Sequence, residues 1–185
     1  NTFEANYGLL YNWYAATDAR EIAADGWHVP TSAEFETLSD YLGGDSVAGG
    51  KLKETGTTYW DSPNTGATNE VNFNARGAGG RGDDGDFAGI NRSLDVWSVT
   101  GYVFDSDLAY LMELTYDDLQ AYPGANIYKY FGHSIRLIKD STTLSDKESS
   151  IYTGNDGKVY RTICIGTQEW LADNIAETKF RNGDD

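Results

Sequence analysis

Aromatic residues reach this chain in short blocks that glycine interrupts, and that punctuation limits the fold more than any other feature. The blocks are Tyr7-Gly8-Leu9-Leu10-Tyr11-Asn12-Trp13-Tyr14, Gly26-Trp27-His28-Val29-Pro30, Ala48-Gly49-Gly50-Lys51-Leu52 and Gly132-His133-Ser134-Ile135-Arg136-Leu137-Ile138. With 21 glycines and only 3 prolines, the mixture suits short strands and turns better than a helical bundle. A chain of 185 residues can build one domain with a real core, or one domain and an appendage.

Local signals order the blocks. Residues 7–16 carry aromatic and small groups without charge, which fits a buried strand or a short buried helix. Thr31-Ser32-Ala33-Glu34 is a capping box, in which the Thr31 hydroxyl accepts from the Glu34 amide and the Glu34 carboxylate reaches back. Phe35, Leu38 and Leu42 follow at helical spacing, and Gly43-Gly44 ends the helix. A second short helix is expected over 46–53. Residues 55–95 dissolve into Gly, Asn, Thr and Asp, too long a stretch for a simple connection, and read as an ordered loop region with short strands. Alternation predicts strands at 96–99, 108–114 and 134–138. The run 139–150 is polar, with the linker itself set at 141–150. Beyond it, 151–171 reads as a hairpin turning at Asn155-Asp156-Gly157, with Val159, Ile163 and Ile165 on one face. A lone hairpin is marginal in water, so this one must pack on something else.

Charge and cysteine content exclude several classes of function. A net charge of −15 argues against a nucleic-acid backbone or an anionic membrane as partner. The single cysteine, Cys164, forbids an intramolecular disulfide and sits in an apolar alternation as a small buried residue. No signal peptide, membrane-spanning run or lipidation motif is visible.

Motifs that invite chemistry mostly have plainer readings. Gly77-Ala78-Gly79-Gly80-Arg81-Gly82 lacks the Lys-Ser/Thr ending of a phosphate loop, and Asp83, Asp84 and Asp86 would repel a phosphate, so a turned surface loop is expected. Those three aspartates can offer hard oxygen ligands to calcium, although no glutamate closes the loop at EF-hand spacing. No cofactor is required by the sequence; calcium is the one candidate. His28 and His133 are the only histidines and make a poor zinc site without cysteine partners. The stretch from Tyr102 to Tyr130 is the most suggestive surface. Tyr102, Asp105, Asp107, Tyr110, Tyr116, Asp118, Tyr122, Asn126, Tyr128 and Tyr130 crowd into it, a composition that serves recognition as well as it covers a sheet.

Taken together, Tyr7 to Ala16, Gly26 to Phe35 with its Trp-His-Val-Pro signature, Ala48 to Glu54 and Gly132 to Asp140 resemble the Fibrobacter succinogenes major paralogous domain, a module of bacterial and phage-borne surface proteins. The resemblance implies an α+β domain of C-type-lectin-like and formylglycine-generating-enzyme-like form, with short antiparallel sheets, one or two helices and a long loop-rich region. In that family a segment like Asn155 to Tyr160 followed by Ile165 to Asn174 comes first; here it comes last, and the stretch between it and Tyr7 is missing. Residues 1–140 are thus expected to be the major part of one domain, and 151–185 an opening hairpin that completes a domain in cis or in a neighbouring subunit. Donation in trans is the favoured expectation, with Val159, Ile163, Ile165, Trp170 and Leu171 as the assembling residues. Such head-to-tail donation does not close and would build a filament from copies of the chain. The linker could reach roughly 35–40 Å when extended, so both geometries are open. The alternative function is a receptor- or glycan-binding domain of a phage or cell-surface protein, using the Tyr102–Tyr130 face. The enzymes of similar fold need a paired-cysteine site that Cys164 alone cannot supply, so no enzymatic activity is expected. An extracellular or cell-surface location, with no membrane insertion, follows from the resemblance.

Overall fold

Thr31 opens the longest helix by local chemistry alone. Its hydroxyl accepts the Glu34 amide at 3.3 Å, and Glu34 Oε2 accepts the Thr31 amide at 2.8 Å. The computed structural model describes residues 2–185, and this helix, Ser32–Tyr41, is its third. Before this helix, α3, lie α1 (Thr2–Tyr7) and α2 (Trp13–Ala16), and after it comes α4 (Asp45–Leu52). Phe35 and Leu38 line the buried face of α3, and Gly43 and Gly44, at φ +103° and +94°, reverse the chain into α4. Among the described residues there are four helices, where one or two are expected. The block 7–16 contributes α2, capped by the Asn12 side chain on the Ala15 amide at 2.9 Å, and a single bridge from Tyr11 to His133.

Two five-stranded sheets complete this α+β fold. One runs β3 (Phe87–Ile90), β2 (Ala78–Arg81), β4 (Ser93–Gly101), β5 (Leu108–Thr115), β6 (Ala121–Tyr128). The other runs β1 (Trp27–His28), β7 (Ile138–Lys139), β10 (Gln168–Leu171), β9 (Val159–Ile165), β8 (Ser149–Thr153). The pairs are antiparallel except for β2 beside β4, which meet in parallel at Gly79 and Leu94. The glycine-rich 77–82 segment is therefore an inner strand rather than a loop. Gly79, at φ +64°, is required there, because a Cβ would lie 2.2 Å from the Ala88 carbonyl.

A strand is expected over 134–138, yet only Ile138 and Lys139 join a ladder. The reason is that its backbone is divided between the sheets. Trp97 N–H donates to the Ser134 carbonyl at 3.0 Å on one side. Leu171 and Ile175 donate to the Leu137 and Ile135 carbonyls, both at 3.0 Å, on the other.

The C-terminal segment supplies three of the second sheet's strands, and it does so within its own chain. β8 begins at Ser149, inside the expected linker, and β10 adds a third strand to the expected hairpin. Trp170 stacks on Phe35 with ring centroids 5.5 Å apart and meets Phe73 edge-on at 6.2 Å. Ile163 and Ile165 join the same core, which includes Leu38, Leu52 and Met112. A second core gathers Trp27, Trp97 and Ile135 around Tyr152, Tyr160 and Leu171. Val159 departs from expectation: it is 61% exposed, because the inward residues at the start of β9 are Tyr160 and Thr162.

Buried polar groups fasten this segment to the body. Arg136 is 1% exposed. Its guanidinium donates to Asn174 Oδ1 at 2.8 Å, to the Asn74 carbonyl at 3.0 Å, and to the carbonyls of Phe73 and Leu171. Burial pulls its pKa down to about 9. Glu169, wholly buried, accepts from Lys139 at 3.0 Å, Thr142 at 2.6 Å and Thr162 at 2.9 Å, which pins the linker to the sheet. The ends of the chain also meet: Leu9 N–H donates to the Ile175 carbonyl and Asn174 Nδ2 to the Tyr7 carbonyl, each at 2.9 Å, and the Arg181 amide donates to the Glu21 carbonyl at 2.7 Å.

His28 of β1 ties this junction to α3. Its Nε2 lies 2.9 Å from Glu34 and its Nδ1 2.6 Å from Asp140. The Glu34 hydrogen bond, aided by Asp140 and opposed by burial, raises its pKa. The stabilisation is therefore fully present below the unfolded value of about 6.5 and is lost as pH climbs through the higher folded value. Burial pushes the Glu34 carboxyl up, but hydrogen bonds from His28 and Thr31 outweigh it and leave its pKa lowered. Urea midpoints measured between about pH 5 and 8 should fall with rising pH, and His28→Gln should flatten that dependence.

Candidate functional site

β6 owes its tyrosines' exposure to strand alternation. Ala121 and Pro123 turn inward, while Tyr122, Gly124, Asn126 and Tyr128 turn outward. As the last strand of its sheet, β6 tolerates Pro123, whose missing N–H would break an inner ladder. Its register against β5 sets Tyr128 opposite Leu108, Asn126 opposite Tyr110, and Tyr122 opposite Glu113.

At one end of this surface the aromatic rings interlock. Tyr102 lies 5.2 Å from Tyr110 and 5.5 Å from Phe104, both edge-on. Tyr128 and Tyr130 stack at 5.2 Å, with Phe131 behind them. The tip of the β4–β5 hairpin presents Val103 and Phe104, 74% and 84% exposed. Asp105 Oδ1 accepts the Asp107 amide at 2.9 Å and shapes that tip, while the Asp107 carbonyl accepts the Lys129 amide at 2.9 Å. Lys129 donates to the Ser106 carbonyl at 2.6 Å and lies 4.1 Å over the Trp13 ring. The contacts lock side chains that could otherwise collapse onto one another, leaving a rigid amphipathic patch.

The remaining predicted residues belong to the opposite end. The Tyr116 hydroxyl accepts from Arg92 at 3.1 Å, and its ring packs on the first core. The Tyr122 hydroxyl is shared between Asp118 Oδ2 at 2.8 Å and Gln120 Oε1 at 2.7 Å, and the Asp118 contact raises its pKa. Asp118 Oδ1 accepts the Gln120 amide, which with the tyrosine holds its carboxyl below the usual range. Tyr116, Asp118 and Tyr122 thus form a separate polar cluster, not a continuation of the aromatic patch.

Asp83, Asp84 and Asp86 sit in the β2–β3 turn, where Asp83 Oδ1 accepts the Asp84 amide at 3.0 Å and Asp84 Oδ1 the Asp86 amide at 2.9 Å. Among the described residues, no group of three His, Cys, Asp or Glu side chains is arranged to hold a metal ion. The Asp83 and Asp84 side chains each accept a backbone amide within the turn. His133 is buried edge-on to Trp97, 3.5 Å from Asp95. Cys164, in β9, is buried against the linker, with its thiol pKa raised by burial. Of the assembly residues, Ile163, Ile165, Trp170 and Leu171 are all buried within their own chain.

Val103, Phe104 and Phe131 escaped sequence reasoning. The signal was available: Val103-Phe104 is an apolar pair immediately before Asp105-Ser106-Asp107, a place where turn residues are ordinarily polar.

Residues 1–139 match the family model described as the Fibrobacter succinogenes major domain. The matched span holds the whole aromatic patch and stops short of β8. No curated protein and no solved structure matches the chain.

Proposed function

This chain belongs to the Fibrobacter succinogenes major domain family, and on that premise we propose that it is a surface-associated, non-enzymatic recognition module. Its ligand, a glycan or a protein, docks on the patch formed by Tyr102, Phe104, Tyr110, Asn126 and Tyr128. The observation that carries this reading is the exposed aromatic cluster at one end of β4–β6. Large apolar side chains held out in water by their neighbours mark interaction sites more often than they serve folding. A non-enzymatic role is supported by the histidines, since His28 is committed to Glu34 and Asp140 and His133 is buried. No cofactor enters the reading. No helix among the described residues is long and apolar enough to cross a membrane.

Array screening against surface glycans and proteins supplies the ligand for the test. Tyr110→Ala with Tyr128→Ala should weaken its binding about tenfold or more, whereas Tyr116→Ala should leave it unchanged. Equal loss with Tyr116→Ala would overturn the assignment of the patch.

A second reading is head-to-tail assembly through exchange of the C-terminal segment. Its support is the exposed stretch 145–148 before β8, which separates a detachable three-strand unit from the body. The core contacts of Ile163, Ile165, Trp170 and Leu171 would be the same with a neighbour's segment. Light scattering discriminates the two arrangements: a 20.3 kDa particle supports closure in cis, and a ladder of multiples supports exchange.

A further inference from the structure

A second surface, on the other side of Tyr130, has the attributes of a small-molecule site. A cleft of about 590 Å³ opens between α1 and the β2–β3 hairpin. Its size falls within the range of roughly 300–1,000 Å³ typical of ligand pockets. Tyr7, Leu9 and Leu10 form one wall, and Ala88 and Ile90 of β3 the other. Phe87, 74% exposed, and the exposed rings of Phe3 and Tyr130 stand around it.

Two polar groups of opposite kind also line this cleft. Arg81 donates through Nε to the Gly85 carbonyl at 3.1 Å, and among the described residues it forms no ion pair. Its guanidinium carbon lies 5.6 Å over the Phe87 ring, leaving terminal N–H groups available as donors. Glu4 also lines the cleft, with its carboxylate 3.7 Å from the Lys158 ammonium. Flat apolar rings with a guanidinium beside them fit a sugar ring: aromatic faces cover its C–H surface, while the guanidinium N–H groups donate to its hydroxyls.

The surrounding charge selects among sugars. Asp83, Asp84 and Asp86 follow Arg81 directly, and the chain as a whole carries −15. An acidic saccharide would meet net repulsion from the aspartates beside Arg81 and from the chain's overall charge, whereas a neutral one would not.

We propose that the cleft between α1 and the β2–β3 hairpin binds neutral pyranose saccharides, stacked on Phe87 and Tyr130 and hydrogen-bonded by Arg81. The site does not rest on the Tyr110–Tyr128 patch; Tyr130 belongs to its rim and not to the residues varied in testing that patch.

Calorimetric titration of the full chain with α- and β-linked glucose hexamers, and with a galacturonate hexamer, tests it. At least one neutral hexamer should bind saturably and more tightly than the galacturonate. Arg81→Gln should weaken that binding about tenfold. Ala88→Trp, a plug at an exposed edge-strand position, should abolish it, with the fold checked by near-UV circular dichroism. Tyr110→Ala, which leaves the Tyr128–Tyr130 stack in place, should leave it intact while weakening binding at the patch, so that failure of the cleft and failure of the patch are told apart. Absence of saturable binding to either neutral hexamer, tighter binding of the galacturonate, or binding that survives Ala88→Trp would each overturn the proposal.

Discussion

A chain ending at residue 148 should show no cooperative unfolding transition in urea. The truncation removes β8, β9 and β10, which leaves β7 paired only with the two residues of β1 among the described residues. It also takes Tyr152, Tyr160, Ile163, Ile165, Trp170, Leu171 and Ile175 out of both cores. Loss of one fully buried tryptophan costs about 3–5 kcal/mol, and whole domains are stable by only about 5–15 kcal/mol. The exposed faces of Phe35 and Phe73 would then leave a loosely packed or aggregating species. Circular dichroism in the near ultraviolet and the steepness of the urea transition report the outcome. A soluble, sharply unfolding 1–148 fragment would show that the body is self-sufficient, and would remove the basis for closure in cis and for exchange alike.

Arg136→Met should be among the most damaging single substitutions, at about 3–5 kcal/mol. Methionine fills much of the space but donates nothing, so the carbonyls of Phe73, Asn74 and Leu171 and the Asn174 amide oxygen lose their shared donor. Each buried acceptor left without a partner costs about 1–3 kcal/mol before relaxation. Arg136→Lys should recover little of this, because one ammonium cannot reproduce a planar fork that reaches three backbone carbonyls and a side-chain amide. The denaturation midpoint measures both variants. If Arg136→Met unfolds within about 1 kcal/mol of the parent, the guanidinium is not what fastens the C-terminal segment.

How much of this was legible in the sequence depended on how local the cause was. Helix α3 was readable to its cap, since Thr31, Glu34 and the stripe of Phe35 and Leu38 act within a few turns. The inward burial of Ile163 and Ile165 was readable too. β6 was not, because Pro, Gly and Asn disfavour strands in general, and what permits them here is an edge position set by distant pairing. β2 was missed for a similar reason: its glycines look like a loop, and only the closeness of Ala88 shows that they make room for a neighbouring strand. The tyrosine-rich stretch was visible as composition but not as geometry. Register divides it, sending Tyr116, Asp118 and Tyr122 to one end and Tyr102, Tyr110 and Tyr128 to the other. The buried roles of Arg136 and Glu169 were invisible, since nothing nearby in sequence announces their acceptors and donors.

The stitching of Leu9 to Ile175 and of Tyr7 to Asn174 has a mechanical consequence. Force entering beside α1 and leaving after residue 181 would be carried first by those few bonds and by the Glu21–Arg181 contact, before either sheet is loaded. While they hold, the fold contributes almost no length between its two ends. Once they part, the C-terminal strands can peel from β7 and a long reserve of chain pays out. A surface protein built with such a fold would be short and stiff at low load, and extensible at high load without breaking a covalent bond.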